Sequence, residues 1–288
     1  NVYDKAGNAS EDKLVFSVNR HGSVFIVGDG TKALNEKYYT NEPKDVVITE
    51  INIDDLTRKD VSVSRDGNIS KLTSGRDYNV SKEGDETSWK TYTYDVKSSN
   101  FNKDGIYSVT IFSQDKATNI QDNKTRDAEV SFAVDMSAPS IVTAGIEENT
   151  HYKEASHTFN VDVNDNMGVS SLVIYVDGKP VDIYDEERFD NTKDISVTLN
   201  ESDETQTITI IAEDVAGNKE INVYAGVLVS TKEINDPNVP GGNGGKGGKG
   251  ETNPSRATAQ AILFAIVAMG AIVAITGASV LIYRKRVK

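Results

Sequence analysis

The side chains of this sequence that could bind a metal or perform catalysis are acidic, amide and histidine groups, because it contains no cysteine. Asp162, Asn164, Asp165 and Asn166 carry the carboxylate and amide oxygens that calcium prefers, and they are its candidate ligands. They directly follow a stretch that alternates like a β-strand, a position that favours a turn built on Asx side chains over a calcium site. We therefore predict no bound metal and no cofactor.

The three histidines do not form a plausible zinc site. His151 and His157 would lie ~20 Å apart on an extended strand, too far to share one ion. Carboxylates are plentiful, but the sequence has no Gly-x-Ser-x-Gly motif, phosphate-binding loop or dinucleotide fingerprint. We predict that the chain is not an enzyme and that it has no catalytic residues.

The charge is strongly acidic and unevenly distributed. The 288 residues include 31 Lys and Arg against 44 Asp and Glu. Four of the basic residues fall within the last five positions, where no acid lies, so residues 1–257 carry a net charge of −17. Such a surface repels polyphosphate, which excludes nucleic acid as a partner.

Internal repeats dominate the first 230 residues. The segments DKAGN at 4–8, DKATN at 115–119 and DVAGN at 214–218 match one another, and the last two follow stretches that alternate like strands. Asp and Asn at these positions can accept and donate hydrogen bonds within a turn, and Gly tolerates a positive φ. The sequence therefore predicts three related turns, whose polar ends are Asp4, Asn8, Asp115, Asn119, Asp214 and Asn218.

A second repeat places FSVN at 16–19 and FAVD at 132–135, an offset of 116 residues. Two markers with similar periods indicate tandem copies of one domain of about 100 residues. Each copy contains about seven short alternating stretches, which is typical of an all-β sandwich. The predicted segments are the end of a truncated domain (1–22), two complete domains (23–136 and 137–230), a flexible linker (231–257), a transmembrane helix (258–283) and a basic tail (284–288).

The stretches AEDVAGN, FAVDMSAPSI and NDNMGVSSLVIYVDGKPV resemble the tandem immunoglobulin-like domains of Gram-positive surface proteins. This resemblance covers roughly residues 1–230. It implies immunoglobulin-like β-sandwiches without disulfide bridges, stacked into a stalk or adhesive module at the cell surface. It does not identify a ligand.

The C-terminal region predicts a membrane anchor. Ala261 to Tyr283 is a run of 23 residues without charge, and as a helix it would span about 34 Å. Because the basic residues Arg284, Lys285, Arg286 and Lys288 follow it, we expect the C-terminus in the cytoplasm and residues 1–257 outside. The stripe of Gly270, Ala274 and Ala278 permits close packing of two such helices, and a lone helix is the open alternative.

The linker before this run is rich in Gly and Pro and should remain disordered. No Leu-Pro-x-Thr-Gly sortase signal precedes the span, so we favour an intact membrane anchor over covalent attachment to the wall. The sequence thus predicts a membrane-anchored surface stalk with the lipid bilayer as its partner. Two alternatives remain: an adhesin that binds a glycan or host protein through loops of the 23–136 domain, and the anchor region of a surface enzyme whose catalytic domain lies upstream. Cell-wall polymer is a further partner to consider, because Lys246, Lys249 and Arg256 of the linker could pair with an anionic polymer.

Overall fold

The computed structural model describes residues 1–12, 16, 18–185 and 195–233. The chain divides into two units, 1–136 and 137–288. Within the described part of each unit, strands dominate, as the alternating pattern predicts. The predicted linker from residue 234, the apolar run and the basic tail lie outside the described residues. Within those residues, no helix is both long and apolar enough to cross a bilayer.

The first unit begins with a small separate hairpin and continues into a sandwich of two sheets. One sheet has the order β3-β5-β9-β8, and the other has the order β4-β12-β10-β6-β7, with β11 also pairing with β10. The elements are β1 (Val2–Tyr3), β2 (Ala9–Ser10), β3 (Val24–Val27), α1 (Asp29–Lys37), β4 (Tyr39–Thr40), β5 (Val46–Asn52), β6 (Leu56–Arg65), β7 (Asn68–Lys71), β8 (Tyr78–Glu83), β9 (Lys90–Val96), β10 (Gly105–Asp115), β11 (Ile120–Asp122) and β12 (Val130–Val134), with 3-10 turns at Ser98–Phe101 and Lys124–Arg126.

The second unit repeats this arrangement. Its sheets have the orders β13-β15-β18 and β14-β20-β19-β16-β17. In both units the first two strands join different sheets. Strands β3 and β13 pair antiparallel with one sheet, whereas β4 and β14 pair parallel with the last strand of the other sheet. This strand order is that of an immunoglobulin-like sandwich. The strands are β13 (Ser140–Ala144), β14 (His151–Tyr152), β15 (Ser156–Asn164), β16 (Val169–Val176), β17 (Lys179–Asp185), β18 (Ile195–Asn200), β19 (Gln206–Asp214) and β20 (Lys219–Val229).

Each unit has its own apolar core, to which both of its sheets contribute. Strand β5 shows how the pattern produces it, since alternate residues from Val46 to Asn52 are buried. The first two inward side chains, Val46 and Ile48, are apolar, but the next two, Glu50 and Asn52, are polar and equally buried. One end of the first sandwich is therefore apolar inside and the other end is polar.

Helix α1 is a feature that strand alternation did not predict. It connects β3 to β4, where the second unit has only a short loop between β13 and β14. The helix is held by Thr31, which is buried and whose Oγ1 accepts the backbone N–H of Val47 at 2.9 Å. Leu34 packs against the core from the same helix. The first domain (23–136) is longer than the second (137–230), and this helix accounts for part of the difference.

Candidate functional site: the repeated turns, the polar core and a lysine-lined groove

The three repeated turns share two hydrogen bonds, from the backbone N–H and the side-chain amide of the Asn to the carboxylate of the Asp. In the copy with the most contacts, Asp214 Oδ1 accepts the backbone N–H groups of Ala216 (2.8 Å), Gly217 (2.6 Å) and Asn218 (2.9 Å). Its Oδ2 accepts the side-chain amide of Asn218 at 2.7 Å. One aspartate therefore accepts the last three backbone donors of the turn and holds its closing residue.

The other two copies follow the same plan. Asp4 Oδ1 accepts the backbone N–H of Asn8 at 2.9 Å, and Oδ2 accepts its side-chain amide at 2.7 Å. Asp115 makes both bonds with Asn119, each at 2.9 Å. Each turn also closes with a backbone hydrogen bond from the Asp N–H to the Asn carbonyl.

The turns of the two sandwiches also bind the chain that leads into the same sandwich. The side-chain amide of Asn119 donates to the carbonyl of Asn19 at 3.3 Å. In the second unit, Asn218 donates to the carbonyl of Ser137 at 3.0 Å. The repeated motif therefore fastens the first and last parts of each sandwich together, a role that the local turn signal does not reveal.

Thr118 occupies the position that is glycine in the other two turns, and all three residues have a positive φ: 85° at Gly7, 67° at Thr118 and 96° at Gly217. A β-branched residue is strained there by ~1–2 kcal/mol. Because Thr118 is exposed, we expect Thr118→Gly to raise the unfolding free energy of the first unit by about 0.5–1 kcal/mol after the entropic cost of glycine. Urea unfolding followed by the fluorescence of Trp89, the single tryptophan, measures it.

The reverse substitution, Gly217→Thr, should destabilise the second unit by about 1–2 kcal/mol. A neutral or destabilising Thr118→Gly would contradict the strain that we assign to this turn.

A buried polar cluster occupies the polar end of the first sandwich, and the sequence analysis did not identify it. Glu50 is fully buried. Its Oε1 accepts the hydroxyls of Ser23 and Ser113, both at 2.5 Å, and its Oε2 accepts the hydroxyl of Tyr94 at 2.8 Å. Burial, and then the adjacent carboxylate of Glu50, raises the pKa of Tyr94 far above its ordinary value. Tyr94 therefore keeps its proton and remains a donor.

The cluster continues into the neighbouring turn through Asp115. Its Oδ2 accepts the side-chain amides of Asn19 (2.8 Å) and Asn52 (3.2 Å) as well as that of Asn119. Asn52 also donates to Ser23 at 2.8 Å. Three strands (β5, β9 and β10), the turn after β10 and the incoming chain thus converge on two buried carboxylates, each held by neutral donors. Glu50 and Asp115 are both buried, so these hydrogen bonds join parts of the chain inside the sandwich.

The calcium candidates do not form a joint site of their own. Asp162 and Asn164 are exposed along β15, and Asn166 is exposed in the turn that follows. Asp165 Oδ1 accepts the backbone N–H groups of Met167 and Gly168, at 2.8 and 2.9 Å, which is the Asx turn that the sequence favours. Within the second unit, one carboxylate oxygen of Asp165 lies within 4.8 Å of one from Asp214. These are two of the six to eight oxygen ligands that calcium takes.

The histidines that we considered for zinc have separate roles. His151 Nε2 lies 3.0 Å from the carbonyl of Ser230. His157 stacks on Tyr152, with ring centroids 3.5 Å apart, and its two nitrogens lie 2.5 Å from Glu154 Oε1 and from the carbonyl of Gly145.

A groove of about 340 Å³ opens at the edge of the first sandwich, between β6 of one sheet and β8 of the other. Asp55 lies at its end and forms ion pairs with Lys82 and with Lys116, the latter at 3.0 Å. The hydrogen bond from Lys82, and then that from Lys116, hold the pKa of Asp55 far below its ordinary value, against the opposing effect of burial.

Acid should destabilise the first unit because several of its carboxyl groups, like that of Asp55, have a lowered pKa. The hydrogen bond from Arg76, followed by the backbone N–H of Thr73, lowers the pKa of Asp77 to about 2. Lys71 and Arg58 lower that of Asp60. A lowered pKa contributes stability above the unfolded value of ~3.9, and that contribution is lost as the pH falls through the folded value. We therefore expect the unfolding free energy to decline below about pH 4.

Asp55→Asn should lower the stability of the first unit at neutral pH and flatten this decline. The exposed Asp29→Asn should change neither. Urea unfolding by Trp89 fluorescence between about pH 7 and 2 measures both, and an unchanged slope for Asp55→Asn would contradict the assignment.

Comparisons with known proteins give limited information. No protein-family model matches the chain, and no curated protein matches it significantly. Among solved structures, the Clostridium thermocellum CbhA fibronectin(III)-like modules are 13% identical with a TM-score of 0.31, covering 72% of this chain and 94% of that one. The N-terminal eight Ig domains of Down Syndrome Cell Adhesion Molecule (DSCAM) isoform 1.30.30 are 14% identical with a TM-score of 0.22, covering 74% of this chain and 29% of that one. At these scores the likenesses add nothing to the strand order, on which the fold assignment rests.

Proposed function

We propose that the chain is a non-enzymatic, membrane-anchored stalk at the surface of a Gram-positive cell. The observation that carries this proposal is the run of 23 uncharged residues from Ala261 to Tyr283, followed at once by four basic residues. A run of this length and composition suits a bilayer span, and the basic tail orients it with residues 1–257 outside.

The two sandwiches suit a stalk because each has its own apolar core and can therefore fold as a separate rigid domain. The Gly- and Pro-rich linker at 231–257 would add ~30 Å as a flexible coil, or ~90 Å when fully extended, between the sandwiches and the membrane. The acidic surface of residues 1–257 keeps the stalk soluble, since like charges make neighbouring copies of the protein repel one another.

We further propose that residues 1–22 are the last part of another sandwich whose remaining strands lie upstream. Hairpin β1–β2 has the same register as its counterparts: Val2 pairs with Ser10, as Ser113 pairs with Gln121. Phe16 and Val18 are 77% and 68% exposed. Their equivalents in the repeat, Phe132 and Val134, are fully buried.

The absence of cysteine provides a direct test of orientation, since single cysteines can be introduced without background. Ser255→Cys should react with a membrane-impermeant maleimide on intact cells, whereas Val287→Cys should react only after permeabilisation. Both variants should stay in the membrane fraction after alkaline carbonate extraction. Release by carbonate, or labelling of Val287→Cys on intact cells, would contradict the proposed anchor and its orientation.

A further inference from the structure

The groove between β6 and β8 is lined by side chains that point inward from opposite sheets. Lys59 lies on β6 with the same alternation as the buried Val61 and Val63. Lys82 pairs in register with Tyr92, whose ring is buried. Lys59 and Lys82 therefore point inward from strands of the two facing sheets and meet at the open edge of the sandwich.

The two lysines differ in how their charge is compensated. Lys82 pairs with Asp55, which also pairs with Lys116. Lys59 forms no ion pair among the described residues, and its ammonium group instead lies 5.4 Å from the centroid of the Tyr92 ring. The groove lining contains these two lysines and one carboxylate. It is thus locally positive on a surface that is otherwise strongly acidic, and such a site concentrates anions.

The rest of the groove is apolar and fixed in shape. Val80 and Leu56 line it beside the Tyr92 ring. The Tyr92 hydroxyl accepts the backbone N–H of Leu56 at 3.2 Å and donates to Asp55 at 3.3 Å, which holds the ring in place. The volume lies at the lower end of the ~300–1,000 Å³ range of small-molecule sites, enough for about one sugar ring.

We propose that this groove binds an anionic sugar unit, with its carboxylate or phosphate between Lys59 and Lys82 and the C–H face of its ring against Val80 and Leu56. The carboxylate of Asp55 lies in the same lining and can accept hydrogen bonds from sugar hydroxyls. Such units occur both in acidic polysaccharides and in phosphate-linked wall polymers. The inference concerns the first unit alone and does not depend on the membrane anchor.

The test is a titration of the full chain in a neutral detergent with glucuronic acid, glucose 6-phosphate and uncharged glucose. Binding is followed by the amide NMR signals of Lys59, Val80, Lys82 and Tyr92. At least one anionic sugar should shift these signals saturably, and the preferred one identifies a carboxylate or a phosphate source. Its affinity should fall as salt is added, and glucose should bind at least ~10-fold more weakly.

Lys59→Gln and Lys82→Gln should each weaken binding by about 10-fold, whereas Lys59→Arg should retain most of it. The exposed Lys44→Gln is the matched control and should have no effect. Unchanged Trp89 fluorescence would show that the variants are folded. The proposal would be overturned if neither anionic sugar shifts the groove signals, if glucose binds equally well, or if the glutamine variants bind normally. In that last case the lysines only protect a sheet edge.

Discussion

Glu50→Ala is expected to destabilise the first unit more than any other single change considered for it, by about 3–5 kcal/mol. The substitution leaves the hydroxyls of Ser23, Ser113 and Tyr94 inside the sandwich without their shared acceptor. It also leaves a cavity where a fully buried side chain was. Since domains of this size are stable by only ~5–15 kcal/mol, the variant should lose a large fraction of the unit's stability.

Trp89 makes this prediction simple to measure. It is the single tryptophan and lies immediately before β9, so its fluorescence during urea unfolding reports on the first unit alone. Glu50→Gln should cost only about 1–2 kcal/mol, because the amide oxygen still accepts hydroxyls and a hydroxyl facing the amide nitrogen can turn to accept. The exposed Glu42→Ala should stay within ~0.5 kcal/mol of the original protein. A loss below ~1 kcal/mol for Glu50→Ala would show that the hydroxyls do not depend on this carboxylate.

Asp214→Ala should have the second largest effect, a loss of about 3 kcal/mol in the second unit. The carboxylate is buried and accepts three backbone N–H groups and the Asn218 amide. Its removal leaves the backbone N–H groups of Ala216 and Asn218 without this acceptor and frees Asn218 from the position in which it binds the Ser137 carbonyl. Both the turn between β19 and β20 and the start of the sandwich should therefore loosen.

Amide hydrogen exchange of β19 and β20 measures this effect directly, because the second unit has no tryptophan. Asp4→Ala is the matched control. Asp4 makes the same turn in an exposed hairpin, so its loss should leave the exchange rates of both sandwiches unchanged. Equal protection of β19 in the Asp214→Ala variant and the original protein would refute the proposed role of this turn.

Local patterns in the sequence were sufficient for much of the fold. Strand alternation predicted that short strands dominate both domains, because one buried face imposes a period of two on a sheet. The repeated Asp and Asn predicted the turns, since their hydrogen bonds join residues only four apart. The Asx turn at Asp165 was recognisable for the same reason.

The features that the sequence analysis missed involve residues far apart in the chain. Helix α1 is short and is held by contacts with β5, so its own sequence carried little sign of it. Glu50 and Asn52 interrupt an apolar alternation, which was a signal that could have been noticed. Their partners, however, are 27 to 63 residues away and could not be identified from spacing.

The sequence by itself therefore determined the all-β class, the repeats and the turn chemistry, because each depends on neighbours along the chain. Only the tertiary structure decided which polar residues share a buried cluster and that Lys59 and Lys82 line one groove. These pairings depend on how two sheets face each other, and a local pattern specifies which face of a strand is buried but not which residues of the opposite sheet it meets.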